Sequence, residues 1–265
     1  MAPTAWNAGL RASGLLPRRP SQSTEPLSSP DNPLVRRLHR LATKREPGVV
    51  LLEGPRVVRQ AQAAGVHLEL LVLREGERFE VEAERVETVT KELFRILSQT
   101  ETPQGVLAVG RAALATPAEA LETARAAGWP LVVLDGVQDP GNVGTIARTA
   151  AAAGAPALAV LPGTADPHGA KAVRASAGHV FYLAVARASW ADLEGLQVLG
   201  TGAGGRPLDE VAVEKAEALV LGSETHGVSR PLESVALPMA AGVESLNVAA
   251  AAAVLLYEVR RRISR

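Results

Sequence analysis

The chain has 265 residues, 28 basic and 28 acidic side chains and a hydrophobic share of 47%, which is typical of a soluble globular protein of about two domains. Cysteine is absent, which excludes disulfides, thiolate metal sites and methyl transfer through a cysteine, and favours a cytoplasmic location. No apolar run reaches the roughly 18 residues of a membrane helix, so we expect no membrane partner. The net charge is zero, so the chain lacks the excess of basic residues that is typical of nucleic-acid binders.

Residues 1 to 30 are rich in serine and proline and carry scattered arginines. They lack the continuous apolar stretch of a secretory signal. We interpret them as a disordered tail, with an RNA-binding arm as the alternative.

Residues 31 to 110 are charge-rich and divide their charges unevenly. Seven basic residues and two acids lie between Arg36 and Arg59, whereas acids dominate from Glu69 to Glu92. This polarity predicts a face that meets phosphate, although ordinary charged helix surfaces would give the same pattern. The candidates for phosphate contacts are Arg36, Arg37, Arg40, Lys44, Arg45 and Arg56.

Short apolar runs within the same region predict strands that alternate with helices, as in a small α/β domain. The strands are expected at 49–52, 68–73 and 106–109, and the helices at about 33–44, 55–64 and 90–98. Residues 111 to 128 are rich in alanine, and we interpret them as a linker that leads into a helix at Pro117.

From residue 129 onward, strands that are apolar on both sides alternate with helical segments, which predicts a parallel sheet covered on both faces. The strands are expected at 131–134, 157–161, 180–185, 197–201, 218–221 and 235–237. Ligands of such sheets bind beyond the carboxyl ends of the strands. The loops expected there are 135–142, 201–205, 222–227 and 238–247.

Residues 200 to 205 match the GxGxxG fingerprint of dinucleotide-binding proteins. The segment at 206–211 is too short for the helix that this fingerprint requires, and the strand before it is not the first strand of its sheet. We therefore disfavour a nicotinamide cofactor and keep a glycine turn close to some ligand.

A strand that ends at Pro140-Gly141 leads into a helix that we expect to start near Asn142 and to stop at Gly154. Asn142 is either a helix cap or a site residue. Arg148 lies in an otherwise small and apolar helix, where a guanidinium suits a phosphate or a developing oxyanion, or else a surface ion pair.

Three ordered motifs resemble those of the SpoU (TrmH-like) family of RNA ribose 2'-O-methyltransferases, in the SPOUT superfamily. Asn142, Gly144 and Arg148 match the first motif, and Gly222, Glu224 and Gly227 match the second. The third motif is matched by Pro238, Met239, Ser245, Leu246 and Asn247. Residues 171 to 178 are also similar to a middle segment of the family.

The resemblance implies a catalytic domain over residues 129 to 265, a parallel sheet flanked by helices with a C-terminal trefoil knot. It also implies methyl transfer from S-adenosylmethionine to a ribose 2'-hydroxyl, without a metal. By this analogy Thr201, Gly202, Gly222, Leu237 and Leu246 hold the methyl donor. The catalytic residues would be Arg148, Asn142, Glu224, Ser245 and Asn247, although Ser245 or Asn247 would equally cap the final helix and Glu224 would equally be an exposed acid.

The family's arginine is often described as a general base, but a guanidinium stays protonated in proteins. We therefore interpret Arg148 as a phosphate clamp and oxyanion stabiliser, with the proton leaving through substrate phosphate, water or Ser245. The resemblance further implies a homodimer.

Residues 31 to 110 resemble the N-terminal domain of many SpoU enzymes, which is similar to RNA-binding ribosomal proteins. Such an appendage favours ribosomal RNA over tRNA as the substrate. The rival hypotheses are a tRNA methyltransferase, a non-catalytic RNA-binding protein on the same fold, and a nucleotide-dependent dehydrogenase.

Overall fold

The computed structural model describes residues 21–22, 25–44, 46–243 and 245–264. The chain divides into two compact units: unit 1 extends to Ala113 and includes His168–Phe181, and unit 2 comprises Leu114–Pro167 and the chain from Tyr182 onward. The strands are β1 (Ser21–Gln22), β2 (Val49–Glu53), β3 (His67–Arg74), β4 (Arg85–Val89), β5 (Val106–Arg111), β6 (Leu131–Asp135), β7 (Ala157–Val160), β8 (Ala184–Arg187), β9 (Val198–Pro207), β10 (Ala218–Gly222) and β11 (Ser234–Ala236). The α-helices are α1 (Pro33–Thr43), α2 (Pro55–Ala63), α3 (Lys91–Leu97), α4 (Pro117–Ala126), α5 (Pro140–Ala153), α6 (Ala170–Ala175) and α7 (Val248–Ile263).

Unit 1 is built on a mixed sheet with the strand order β1-β4-β3-β5-β2. β4 is parallel to β1 and β3, whereas β5 is antiparallel to β2 and β3. The side chain of Asn32 accepts a hydrogen bond from Leu34 N at 2.9 Å and caps α1. The apolar residues of α1 recur every three positions and pack with those of α3, including Phe94, against the sheet. The three helices predicted in this region are confirmed by α1, α2 and α3.

Two features of unit 1 differ from the predictions. Leu27 bridges to Val89 and packs against the core, so ordered chain begins before the predicted boundary at residue 31; residues 1–20 and 23–24 lie outside the described residues. β4 was not expected, because its side chains are mostly polar, and it forms a strand through backbone pairing with β3.

Unit 2 contains a parallel sheet with the order β11-β9-β10-β6-β7-β8. The predicted parallel sheet is confirmed, and β6, β7 and β10 are buried along their whole length. α5 and α7 pack side by side, and α4 packs against β7 and β8.

The helix expected at Pro117 is confirmed by α4, which occupies the second half of the range 111–128 that we interpreted as a linker. α4 is a helix with a capping box, in which Glu119 N donates to Thr116 Oγ1 and Thr116 N donates to Glu119 Oε2. The strand predicted at 180–185 is also wrong at its start, where a 3-10 helix covers His179–Tyr182.

The predicted boundary between the domains is crossed by one segment. His168–Phe181 belongs to unit 1, although it lies within the predicted catalytic domain. Arg174 Nη1 donates to Glu53 Oε2 at 3.2 Å, and Glu53 is almost fully buried. A methyl group at Gly178 would lie only 2.9 Å from Gln60 Cβ, so glycine is needed for this close approach.

Candidate active site

The amino ends of α5 and α7 meet three polar side chains at the carboxyl edge of the sheet in unit 2. Asn142 Nδ2 donates to Glu224 Oε1 at 2.5 Å. Asn247 Nδ2 lies 3.3 Å from the same carboxylate oxygen and 3.2 Å from Asn142 Oδ1. The three residues, one from each predicted motif, therefore form a single hydrogen-bonded network.

The position of Glu224 follows from the two helices. The first backbone N–H groups of each helix have no intrahelical partners, so the amino end carries a partial positive charge that favours a carboxylate. Asn247 caps α7 by accepting from Ala249 N at 2.9 Å, while its Nδ2 reaches Glu224. Asn247 therefore caps α7 and contacts Glu224 with the same side chain, and its catalytic role stays a prediction.

Asn142 does not cap α5, so the capping alternative is wrong; the helix starts at Pro140, two residues before Asn142. The cap is Asp139, which accepts from Gly141 N at 3.2 Å, and Pro140 is the first helical residue. Pro140 is favoured at a helix start because its missing N–H would have no partner there. Asn142 is left free to hold Glu224. The predicted stop at Gly154 is confirmed by its left-handed conformation, with φ of 95°.

Arg148 is exposed on α5 and makes no hydrogen bond or ion pair with the described residues. It lies six residues after Asn142, or roughly 9 Å farther along the helix axis. It shares the side of α5 that carries Thr145 and Ala152, which is not the side of Asn142. One chain therefore does not bring Arg148 into the asparagine-glutamate network. Ser245 is also exposed and forms no hydrogen bond within the described part of the chain.

The residues expected to hold the methyl donor have different surroundings. Gly202 has open space where a side chain would be, and Leu246 is 44% exposed. Thr201 and Leu237 are half-buried. Open backbone and exposed apolar side chains suit an adenosine, whose ring needs apolar contacts and backbone hydrogen bonds.

Gly222 has a structural role that the sequence did not reveal. A methyl group there would lie 2.1 Å from the Gly227 carbonyl carbon and 2.3 Å from Val228 N. The turn that approaches it is closed by two hydrogen bonds between Ser223 and Gly227, of 2.9 Å and 3.0 Å. Glycine is thus required for backbone to pass backbone, and this turn positions Glu224.

Residues 201–205, expected as a loop, lie within the bounds of β9. β11 pairs with β9 only at Gly200, Arg206 and Pro207, and the register shifts between Gly200 and Arg206. A methyl group at Gly205 would lie 2.5 Å from Ser234 O. The glycines of the GxGxxG match therefore lie within a strand, and a three-residue 3-10 helix, Leu208–Glu210, follows them in place of the α-helix that the dinucleotide fingerprint requires.

Asp135 was missed as an individual site residue. It is buried at the end of β6 and accepts from Ser229 N at 2.6 Å. The bond fixes the chain that leaves the Glu224 turn. Its signal in the sequence was weak: a lone aspartate directly after an apolar strand.

The predicted phosphate contacts of unit 1 fall into two groups. Arg36 pairs with Asp31 at 2.6 Å, and Arg37 pairs with Glu46 at 3.0 Å, a hydrogen bond that raises the pKa of Arg37. Arg40, Lys44 and Arg56 are exposed and have no polar partner among the described residues. Arg45 lies outside the described residues.

Comparison with known proteins identifies both units. The SpoU rRNA Methylase family model matches residues 130–257, and the MRM3-like substrate binding domain matches residues 32–108. The 23S rRNA (guanosine(2553)-2'-O)-methyltransferase RlmP of Bacillus subtilis (strain 168) is 35% identical over 253 residues, which cover 88% of this chain and 98% of the relative. The chain belongs to the SpoU rRNA methylase family.

Two solved structures of methyltransferases are similar to this chain. The AdoMet-bound rRNA methyltransferase from Sinorhizobium meliloti has a TM-score of 0.75 and 28% identity, and the alignment covers 90% of this chain and 98% of that one. The SpoU methyltransferase AviRb from Streptomyces viridochromogenes, in complex with AdoMet, has a TM-score of 0.74 and 27% identity, covering 88% and 100%. The predicted family, the α/β class and the methyltransferase assignment are confirmed.

Within the described ranges, no helix is long and apolar enough to cross a membrane. The same residues contain no group of three or more histidine or acidic side chains placed to hold a metal ion.

Proposed function

We propose that this SpoU protein transfers a methyl group from S-adenosylmethionine to a ribose 2'-hydroxyl of ribosomal RNA. The observation that carries the proposal is the network of Asn142, Glu224 and Asn247, because it joins one residue from each motif at the amino ends of two helices. The relative of known specificity acts on 23S rRNA, and unit 1 matches a substrate binding domain. These matches favour ribosomal RNA over tRNA.

The bound cofactor supplies an electrophilic methyl group on a sulfonium sulfur. The reaction breaks its carbon-sulfur bond, forms a carbon-oxygen bond at the ribose, and releases the hydroxyl proton. The proposed cofactor contacts are the exposed Gly202 and Leu246 and the half-buried Thr201 and Leu237. Gly222 contributes by letting residues 227 and 228 pass, which shapes the turn beside them.

The chain's own residues position the hydroxyl and manage its charge. Glu224 holds the two asparagine amides in fixed orientations, so that they can orient the ribose. Arg148 binds the adjacent phosphate and stabilises negative charge on the attacking oxygen. The proton leaves through substrate phosphate, water or the exposed Ser245.

We further propose that the active form is a homodimer. α7 exposes a stripe of Ala250, Val254, Tyr257 and Arg261, and Val254 and Tyr257 are 49% and 51% exposed. The adjacent α5 exposes Arg148. An apolar stripe beside an unpartnered guanidinium suits an interface in which Arg148 reaches the site of the second copy.

The same proposal includes a knot in the fold and a cellular compartment. The tight backbone crossings at Gly205 and Gly222 support a trefoil knot in the C-terminal part of the chain. The enzyme is expected to act in the cytoplasm, the compartment that would hold its RNA.

The proposal is tested in two steps. Calorimetry should show uptake of S-adenosylmethionine and none of NAD. Mapping of ribose methylation on total RNA from deletion and parent cells should then show one site in ribosomal RNA that is lost in the deletion. A loss confined to tRNA would move the substrate to tRNA, and RNA binding without cofactor uptake would show a non-catalytic protein.

A further inference from the structure

Unit 1 contains a groove of about 1110 Å³ between α2, the β3–β4 pair and the segment that joins these strands. We name this segment, residues 75–84, the strap. Leu71, Leu73 and Val86 provide an apolar floor. The strap is tied to α2 at two points: the Arg59 guanidinium lies 4.8 Å from the centroid of the Phe79 ring, and Gln62 Nε2 donates to Glu82 O at 2.9 Å.

The charges that line the groove balance. Two arginines, Arg59 and Arg78, and two acids, Glu80 and Glu82, contribute to the lining. The remaining acid of the lining, Glu77, is paired with Arg74. A phosphate gains little from such a lining and would lose its hydration, whereas a neutral polar group meets no net repulsion. The groove therefore suits an uncharged, planar ligand.

Its chemistry matches that of a nucleobase. Unpaired RNA bases stack on aromatic rings and on arginine planes, and Arg59 over Phe79 combines the two. Thr88 Oγ1 and Gln62 Oε1 line the groove, and neither has a hydrogen-bond partner among the described residues. A hydroxyl and an amide oxygen are suited to the polar edge of a base.

The phosphates of the same strand have a contact directly outside. Arg56 precedes Arg59 by three residues on α2, which places both on the same exposed face, and Arg56 has no partner among the described residues. We infer that the groove is a slot for one unpaired base of the RNA substrate, with Arg56 on the neighbouring phosphate. The inference deepens the proposed function and rests on it.

The test compares two probes of equal charge with the full chain: an oligoadenylate of about ten nucleotides, and an abasic ribose-phosphate oligomer of the same length. The wild type should bind the oligoadenylate about tenfold more tightly, which is within the range for base stacking. Arg59→Lys keeps the charge and removes the plane, and Phe79→Leu keeps bulk and removes the ring. Each should reduce the preference to about twofold or less.

Two controls accompany these variants. Phe79→Tyr keeps the ring and should keep the preference, whereas Arg56→Ala should weaken both probes by the same factor because it removes a phosphate contact. Thermal unfolding close to that of the wild type confirms that each variant is folded.

Equal affinity of the wild type for the two probes would overturn the slot, as would a full preference in both Arg59→Lys and Phe79→Leu. Methylation of ribosomal RNA by the same preparation separates the two proposals. Methylation without base preference refutes only the slot, and base preference without cofactor uptake or methylation supports the slot and refutes the enzyme.

Discussion

Removal of Glu224 should separate catalysis from stability. Glu224 is exposed, and the two amides that it accepts from lie close to solvent. In Glu224→Ala, water replaces the carboxylate, so the free energy of unfolding should fall by only about 0.5–1 kcal/mol. The methyl-transfer rate should fall about 100-fold, because Asn142 and Asn247 lose the group that orients them.

Glu224→Gln distinguishes geometry from charge. Both hydrogen bonds that Glu224 accepts end on Oε1, and a glutamine oxygen at this position can accept both while the negative charge is lost. We expect a loss of about tenfold, between the wild type and the alanine variant.

The assay is single-turnover methylation of ribosomal RNA from the deletion strain, with both substrates saturating, alongside urea unfolding of each variant. Calorimetry checks that the variants still bind S-adenosylmethionine. An alanine variant within about threefold of the wild-type rate would refute the catalytic role of the network. A loss of stability above about 2 kcal/mol would show that the network is structural.

Arg148→Ala should lower turnover by about 100-fold or more while cofactor binding survives. If Arg148 acts across a dimer, mixing this variant with the inactive Glu224→Ala chain should restore activity. A rate for Arg148→Ala within a few-fold of the wild type would exclude a catalytic role for Arg148. Gly222→Ala should lower the free energy of unfolding by at least about 1–3 kcal/mol in urea, since the added methyl group meets backbone at 2.1 Å; unchanged stability would contradict this crossing. Hydrogen bonds to the Glu258 carboxylate, of which the one from Arg261 has the largest effect, lower its pKa to about 2. Its folded pKa is lowered, so its stabilising effect is complete above about pH 4.5 and is lost as the pH falls towards 2. Glu258→Gln should remove about 1 kcal/mol at neutral pH and nothing near pH 2, and an equal difference at both pH values would refute the assignment.

Much of the fold could be read from local patterns. The buried strands β6, β7 and β10 are continuous apolar runs, and α1 shows its buried face in the spacing of Val35, Leu38 and Leu41. Such patterns indicate burial directly, because the spacing of the apolar side chains within one helix or strand shows which of its faces is removed from water. The three motifs likewise identified the family, since their residue types and order are properties of the chain.

Contacts between distant residues could not be read in this way. Residues 142, 224 and 247 are brought together only when β6, β10 and α7 are in place, and nothing local to Asn142 shows that Asp139 takes over the helix cap. The glycines of β9 illustrate the same limit: locally they indicate a turn, yet they lie within one strand whose two ends pair with β11 at Gly200 and at Arg206–Pro207. Local sequence constrains which side chains are buried, whereas the partner of each polar group depends on which chain segments meet in space.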